Sequence, residues 1–274
     1  MRAAALCAAL ALGRSAALLP VPLAMPWLCL EVCGDSPRAI AADLAQVRAN
    51  ASVFRAASFE AYNLGPNSTL VRNNITRAAA PLRAAGVLTL AMVSSFPYPP
   101  AFLGWMREVF ADPQPFFDAC VAAAAAEPVD GFNIDWEPPA ADKPTAADAA
   151  AYAAFLDALA RARHAHGLLV TVDVATWSKI WDMRAIGATA VDAVFTMNTY
   201  TAGDALWAQQ LAEDVAAVPA DKLVVGLQTT AHGKPFNASD VALRFNAIKA
   251  AGVRRVGIWD APVPDAWGPF LAAL

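Results

Sequence analysis

Two acids, Asp135 and Glu137, stand two residues apart in the stretch Asp130-Gly131-Phe132-Asn133-Ile134-Asp135-Trp136-Glu137. Side chains alternate faces along a β-strand. As a strand, this stretch puts Asn133, Asp135 and Glu137 on one face and Phe132, Ile134 and Trp136 on the other. Pro138 and Pro139 follow and stop the ladder, because proline has no N–H to donate. Two like charges at short range resist joint ionisation, so one carboxyl keeps its proton to higher pH. A general acid at neutral pH needs that property. Acids at strand ends are commonly just a solvated edge. Here Val129 and the apolar alternate face argue for a buried strand, and a buried strand carries three polar groups on one face only where a cavity receives them.

The elements that must position these acids can be read along the chain. Eight apolar runs read as strands: Trp27 to Val32, Val53 to Tyr62, Val87 to Val93, Val129 to Trp136, Leu168 to Ala175, Val191 to Thr199, Leu223 to Gln228 and Arg255 to Trp259. Between them lie helix-compatible segments at 36–49, 73–85, 102–110 with 115–126, 146–166, 181–186, 204–218 and 239–251, and the tail 265–274 reads as a last one. Gly86, Gly167 and Gly252 fall where helices should end. Strands alternating with helices imply right-handed βαβ units and a parallel sheet. Eight units suggest a closed α/β barrel, the (β/α)8 or TIM barrel, as a single domain over 27–274. An open doubly wound sheet is the alternative, but no G-x-G-x-x-G follows any strand. In a barrel the active rim is built at the C-terminal ends of the strands. That rule collects Glu31, Glu60 with Tyr62, Ser94 with Tyr98, Asp135 with Glu137, Asp173 with Trp177, Asn198 with Tyr200, Gln228, and Trp259 with Asp260 on one rim. Acids and amides bind hydroxyls, and aromatic faces stack on sugar C–H surfaces, so this is the composition of a carbohydrate site. Trp177 and Trp267, taken singly, read as packing residues.

With 274 residues, 58% hydrophobic and 16% charged, the chain can bury a large core. A net charge of -4 offers no basic footprint for nucleic acid and argues against an electrostatic membrane contact. Residues 1–17 read as a secretory signal: Arg2, an apolar stretch from Ala3 to Leu12, and small residues for cleavage after Ala17. Four N-x-[ST] sequons at Asn50, Asn67, Asn74 and Asn237 fit that route, toward the cell exterior or a lysosomal or vacuolar compartment. Cys29, Cys33 and Cys120 remain after cleavage. On a continuous strand Cys29 and Cys33 stand roughly 13 Å apart, too far to bridge, so a disulfide between them requires a bend after Leu30. No histidine clusters with cysteine, which argues against a zinc site, and nothing in the chain asks for another metal or cofactor.

The stretch from Asp130 to Glu137 resembles the D-G-x-D-x-D-x-E signature of glycoside hydrolase family 18, which holds chitinases, chitobiases and endo-β-N-acetylglucosaminidases. Its place on the fourth strand of eight is that family's. Trp259 in Gly257-Ile258-Trp259 is similar to the tryptophan that ends the family's eighth strand and floors the sugar pocket. Met197 in Phe195-Thr196-Met197-Asn198-Thr199-Tyr200 is similar to the methionine of the sixth-strand M-x-Y-D motif. The resemblance implies that Glu137 protonates the glycosidic oxygen and that Asp135 orients the substrate's 2-acetamido group. The acetamido oxygen, not a protein carboxylate, would attack the anomeric carbon, an exception to two-carboxylate catalysis. It further implies a catalytic trio of Glu137, Asp135 and Asn133. Trp259, Tyr200, Met197, Asn198, Glu60 and Asp173 would line the subsite for an N-acetylglucosamine oligosaccharide or glycan.

Two positions depart from the signature. Asn133 stands where the family has its middle Asp; an amide can bond to Asp135 but cannot share a proton with it, so Asp135 should ionise more easily. Thr199 stands in place of the family's tyrosine and Tyr200 in place of its Asp. A bulge in the sixth strand would let Tyr200 supply the hydroxyl for the acetamido carbonyl. The segment from Thr229 to Val253 must also hold a helix, leaving no room for the extra α+β domain of many chitinases, so a shallow, open site is expected. Two further readings stay open. One is a non-catalytic carbohydrate-binding or inhibitor-like protein on the same barrel. The other is a barrel hydrolase in which a two-carboxylate mechanism uses Glu60 or Asp173.

Overall fold

The computed structural model describes residues 19–274 apart from 202, 232 and 233, so the expected signal at 1–17 lies outside the described residues. Eight parallel strands form the wall: β1 (Leu23–Leu28), β2 (Ala56–Leu64), β3 (Leu88–Ser94), β4 (Gly131–Asp135), β5 (Leu169–Val174), β6 (Ala193–Thr196), β7 (Leu223–Gln228) and β8 (Arg255–Trp259). Each pairs with the next, and β1 pairs with both β2 and β8, so the sheet closes into a (β/α)8 barrel. The helices are α1 (Pro37–Ala49), α2 (Ala79–Ala84), α3 (Phe102–Ala111), α4 (Gln114–Ala126), α5 (Ala146–His164), α6 (Met183–Gly187), α7 (Asp204–Ala217), α8 (Ala238–Ala250) and the short α9 (Gly268–Leu271). The barrel is the domain; between β7 and β8 the described residues add only a hairpin of Thr230–Ala231 with Lys234–Pro235 and then α8.

The period-two reading explains the wall. Leu23, Met25 and Trp27 of β1, Leu90 and Met92 of β3, and Phe195 of β6 point inward and form the barrel interior. Ala24, Leu28, Ala91, Val93 and Val194 point outward into the layer beneath the helices. On β4, Phe132, Ile134 and the following Trp136 join that outer layer, fully buried. Trp136 stacks on Phe155 at 5.2 Å and meets Phe116 edge-on at 5.4 Å. Truncating such a ring costs about 3–5 kcal/mol. This anchor leaves the opposite face of β4 to the barrel mouth.

Four expectations need correction. First, the opening strand lies at Leu23–Leu28, upstream of the expected Trp27 to Val32. It stops because Leu30 takes φ 55° and Leu30–Cys33 coil into a 3-10 turn. That turn is the bend required for a Cys29–Cys33 disulfide, which forms with the Cα atoms 5.5 Å apart, while Cys120 is a buried free thiol. Second, β6 ends at Thr196 rather than Thr199, because the chain turns back with Tyr200 N–H donating to Met197 O. Third, the expected helix from 73 is confined to Ala79–Ala84, since β2 continues into an antiparallel pairing with Leu70–Arg72 and uses the residues between. Fourth, the sequon at Asn74 is closed: this side chain is buried and its amide donates to Glu60 O, whereas Asn50, Asn67 and Asn237 are exposed.

Candidate active site

The inward positions nearest the strand ends converge on a cavity of about 490 Å³ at the C-terminal mouth of the barrel. β4 contributes Asp135, and the loop after it Glu137. β2 contributes Glu60 and β5 Asp173. The turn after β6 supplies Met197 and Tyr200, and β8 ends in Trp259. A bulge in β2 between Glu60 and Tyr62 changes its register against β3 just past Glu60. The Glu137 backbone N–H donates to Ser95 Oγ at 3.0 Å, which fixes the loop that carries this acid.

Asn133 lies one step deeper, fully buried beneath the cavity. Its Oδ1 accepts from Trp27 Nε1 at 2.9 Å and from Ser58 Oγ at 3.0 Å. Its Nδ2 donates to Thr171 Oγ1 at 3.1 Å and to Asp173 Oδ1 at 2.9 Å. The amide thus ties β1, β2 and β5 to β4. Its carboxylate partner is Asp173, on the neighbouring strand, rather than Asp135, with which the resemblance allowed a bond. Residues two apart on one strand diverge along it, whereas cross-strand neighbours face each other.

The acids share one proton-retaining environment. Burial pushes Asp135 well above the carboxylate range, and the nearby charges of Glu137, Asp173 and Glu60 push it further. Asp135 is thus held high with the neutral amide of Asn133 beneath it. Asp173 is raised well above its usual range by burial, against the opposing bond from Asn133. Burial raises Glu60 to about 7, with bonds from Asn73 and Ser94 opposing and the charge of Glu137 adding. Glu137 is raised by burial and held back by bonds from Tyr98 and Trp177. Asp135 Oδ1 is buried without a hydrogen-bond partner among the described residues. No group of three acids, histidines or cysteines there is arranged to hold a metal ion.

Asn198 does not reach the cavity. It follows Met197, so its side chain takes the other face and Nδ2 donates to the buried Asp214 Oδ1 at 2.5 Å. Thr199 Oγ1 donates to Gly226 O, leaving no hydroxyl for the cavity. Tyr200 takes that place through the turn after β6. Its ring lies over Gly226, where a Cβ would come within 3.0 Å of it. Trp177 corrects the expectation of packing: it is 57% exposed, lines the cavity, and is braced edge-on by Trp181 at 5.6 Å. Trp267, by contrast, is buried against Phe245 at 5.8 Å, as expected. Tyr98 carries its hydroxyl to Glu137 Oε1 at 3.4 Å. Sequence reading missed Trp27 as a cavity residue. The signal was available, because Trp27 continues the inward series of Leu23 and Met25. Its ring fits because Gly257 opposes it; a Cβ there would lie 2.4 Å from the indole.

No family model matches the sequence. No curated protein matches it either. Solved structures do. A chitinase from Chromobacterium violaceum superposes with a TM-score of 0.74 at 18% identity, covering 92% of this chain and 98% of that one. The spore cortex-lytic enzyme SleL of Bacillus megaterium gives 0.75 at 14%, covering 90% and 73%. The Ostrinia furnacalis Group IV chitinase gives 0.70 at 13%, covering 91% and 97%. The chain shares its (β/α)8 barrel fold with these chitinases and with SleL. At these identities the likeness is one of fold.

Proposed function

We propose that the protein is a glycoside hydrolase that cleaves β-1,4 linkages of N-acetylglucosamine-containing glycans with retention of configuration. The observation that carries this is the pairing, in one cavity, of a Glu137 raised by burial with a half-buried Asp135 whose buried Oδ1 lacks a partner among the described residues. Glu137 protonates the glycosidic oxygen as the bond breaks. The substrate's acetamido oxygen closes on the anomeric carbon, while Asp135 receives the acetamido N–H and holds it in line. Tyr200 offers its hydroxyl to the acetamido carbonyl. Trp259 and Trp27 give the sugar an apolar floor. Glu137, now ionised, takes a proton from the water that opens the cyclic intermediate.

Hydrolysis of N-acetylglucosamine oligomers tests this reading, with Glu137→Gln alongside. Loss of the acid should lower kcat by about 10²–10⁴-fold. A folded wild type that binds these sugars without turnover would refute it and leave the carbohydrate-binding reading, which Thr199 favours. Cleavage of glucosides lacking the acetamido group would move the mechanism to Glu60 or Asp173. The proposal includes a secretory route, supported by the apolar N-terminal run, the exposed Asn50 and Asn67 sequons and the Cys29–Cys33 disulfide. Glycosidase-sensitive mass on the secreted protein would test it.

A further inference from the structure

A second cavity, of about 970 Å³, also borders Glu137. It shares Tyr98, Glu137 and Trp177 with the first but touches neither Asp135, Asp173 nor Trp259. A general acid stands between the two units whose bond it protonates. The unit whose acetamido group meets Asp135 fills the first cavity, so the departing unit falls in the second. The two cavities differ in charge. The first holds Glu60, Asp135, Glu137 and Asp173. The second adds no acid beyond Glu137 and is bordered instead by Lys143 and Lys179.

Both lysines are exposed, and neither has a carboxylate within salt-bridge distance among the described residues. The neighbouring Arg107, by contrast, is committed to Asp148 at 2.7 Å. Lys143 also sits at φ 47°, a left-handed conformation that a non-glycine side chain adopts at a cost and that clusters at functional sites. Its side chain leaves from the rim of the cavity, beside the buried wall of Pro138 and Pro144. In a chain of net charge -4, two uncommitted cations facing one cavity make a local reversal of sign.

We infer that this second cavity is the leaving-group subsite and that Lys143 and Lys179 select a glycan whose leaving unit carries a carboxylate. The inference rests on the glycosidase reading for the identity of the two subsites. The rings of Tyr98 and Trp177 stack the unit, and the lysines discriminate charge. Each solvent-exposed pairing should change affinity by about threefold, and the two together by about tenfold, with the effect fading at high salt.

Calorimetric binding to the Glu137→Gln protein tests this with a matched pair, N-acetylglucosaminyl-β-1,4-glucuronic acid and its methyl ester. The acid should bind about tenfold more tightly than the ester at low ionic strength. That ratio should fall toward one in 1 M salt and when Lys143→Gln and Lys179→Gln are added. Binding of the ester reports that the variant is folded. Equal affinities in Glu137→Gln, no binding of either compound, or a preference that survives loss of both lysines would overturn the inference. Turnover of the ester by the wild type is read separately. Its absence with the acid preference intact would refute the glycosidase reading and leave the lysines as an anion-selective binding site.

Discussion

Replacing Asn133 by Asp restores the acid of the family signature and alters one atom of a buried network. The Oδ1 that accepts from Trp27 and Ser58 is retained. The Nδ2 that donates to Thr171 and Asp173 becomes an oxygen. Two carboxyl oxygens then face each other at the 2.9 Å now spanned by an N–H···O bond. At an effective dielectric of about 20, two full charges at that distance repel by about 6 kcal/mol, equivalent to about four pH units. Asn133 is fully buried, so solvent does not screen the pair. Burial already raises Asp173 in the wild type, and the added carboxyl, equally buried against it, is raised in turn. The folded pair thus holds one proton more than the wild type, a proton that the unfolded chain releases near pH 4. A group raised in the folded state costs nothing while both states are protonated, and it costs progressively more as pH rises toward the folded pKa. Relative to wild type, Asn133→Asp should be near neutral at pH 4. It should then lose about 1.4 kcal/mol per pH unit, reaching about 4 kcal/mol at pH 7. Urea denaturation at one-unit pH intervals measures this. A destabilisation that is constant from pH 4 to 8 would show that Asp173 is not the partner that sets the proton count.

Three other expectations follow. Glu60, raised to about 7 by burial, makes the wild type lose stability as pH climbs from 4.5 through 7; Glu60→Gln should remove a decline of roughly 3 kcal/mol from that window, seen as a flatter curve of urea midpoint against pH. Tyr98→Phe removes a bond that holds the Glu137 pKa down against burial. The descending limb of kcat/KM against pH should therefore move to higher pH, and an unmoved limb would exclude Tyr98 as a partner of the acid. Asn198→Ala leaves the buried Asp214 without its 2.5 Å donor; thermal unfolding should show a loss of about 1–3 kcal/mol while KM for oligosaccharides stays put.

The sequence disclosed the barrel because its strands are apolar on both sides of the wall and its helices end at Gly86, Gly167 and Gly252, each at positive φ. The bounds of β7 and β8 were legible, since turn residues flank both runs. The acids of β4 were legible because period two is local. Facing across strands is not local, so the sequence suggested Asp135 as partner to Asn133 where the barrel supplies Asp173. Asn198 was misplaced for a related reason: a motif near a strand end does not say which of two adjacent residues keeps the inward phase. Trp177 was read as packing because it lies in a loop, whose path depends on contacts that no periodicity records. The early end of β1 was hidden because Trp27 to Val32 is as apolar as the strand before it, and only the turn at Leu30 separates them.

The seat of Trp27 has a consequence in time. Its ring is held by the Asn133 bond from mid-chain and by the gap at Gly257 near the far end. The strand bearing the acids, by contrast, buries Trp136 against Phe116 and Phe155, which are close in sequence. Local contacts form early and distant ones late. On that ground the strand of the acids is expected to pack before Trp27 supplies a floor for a sugar. Ligand binding at the mouth, followed during refolding, would then clock the closing of the ring, and the quenching of Trp136 would clock the steps before it.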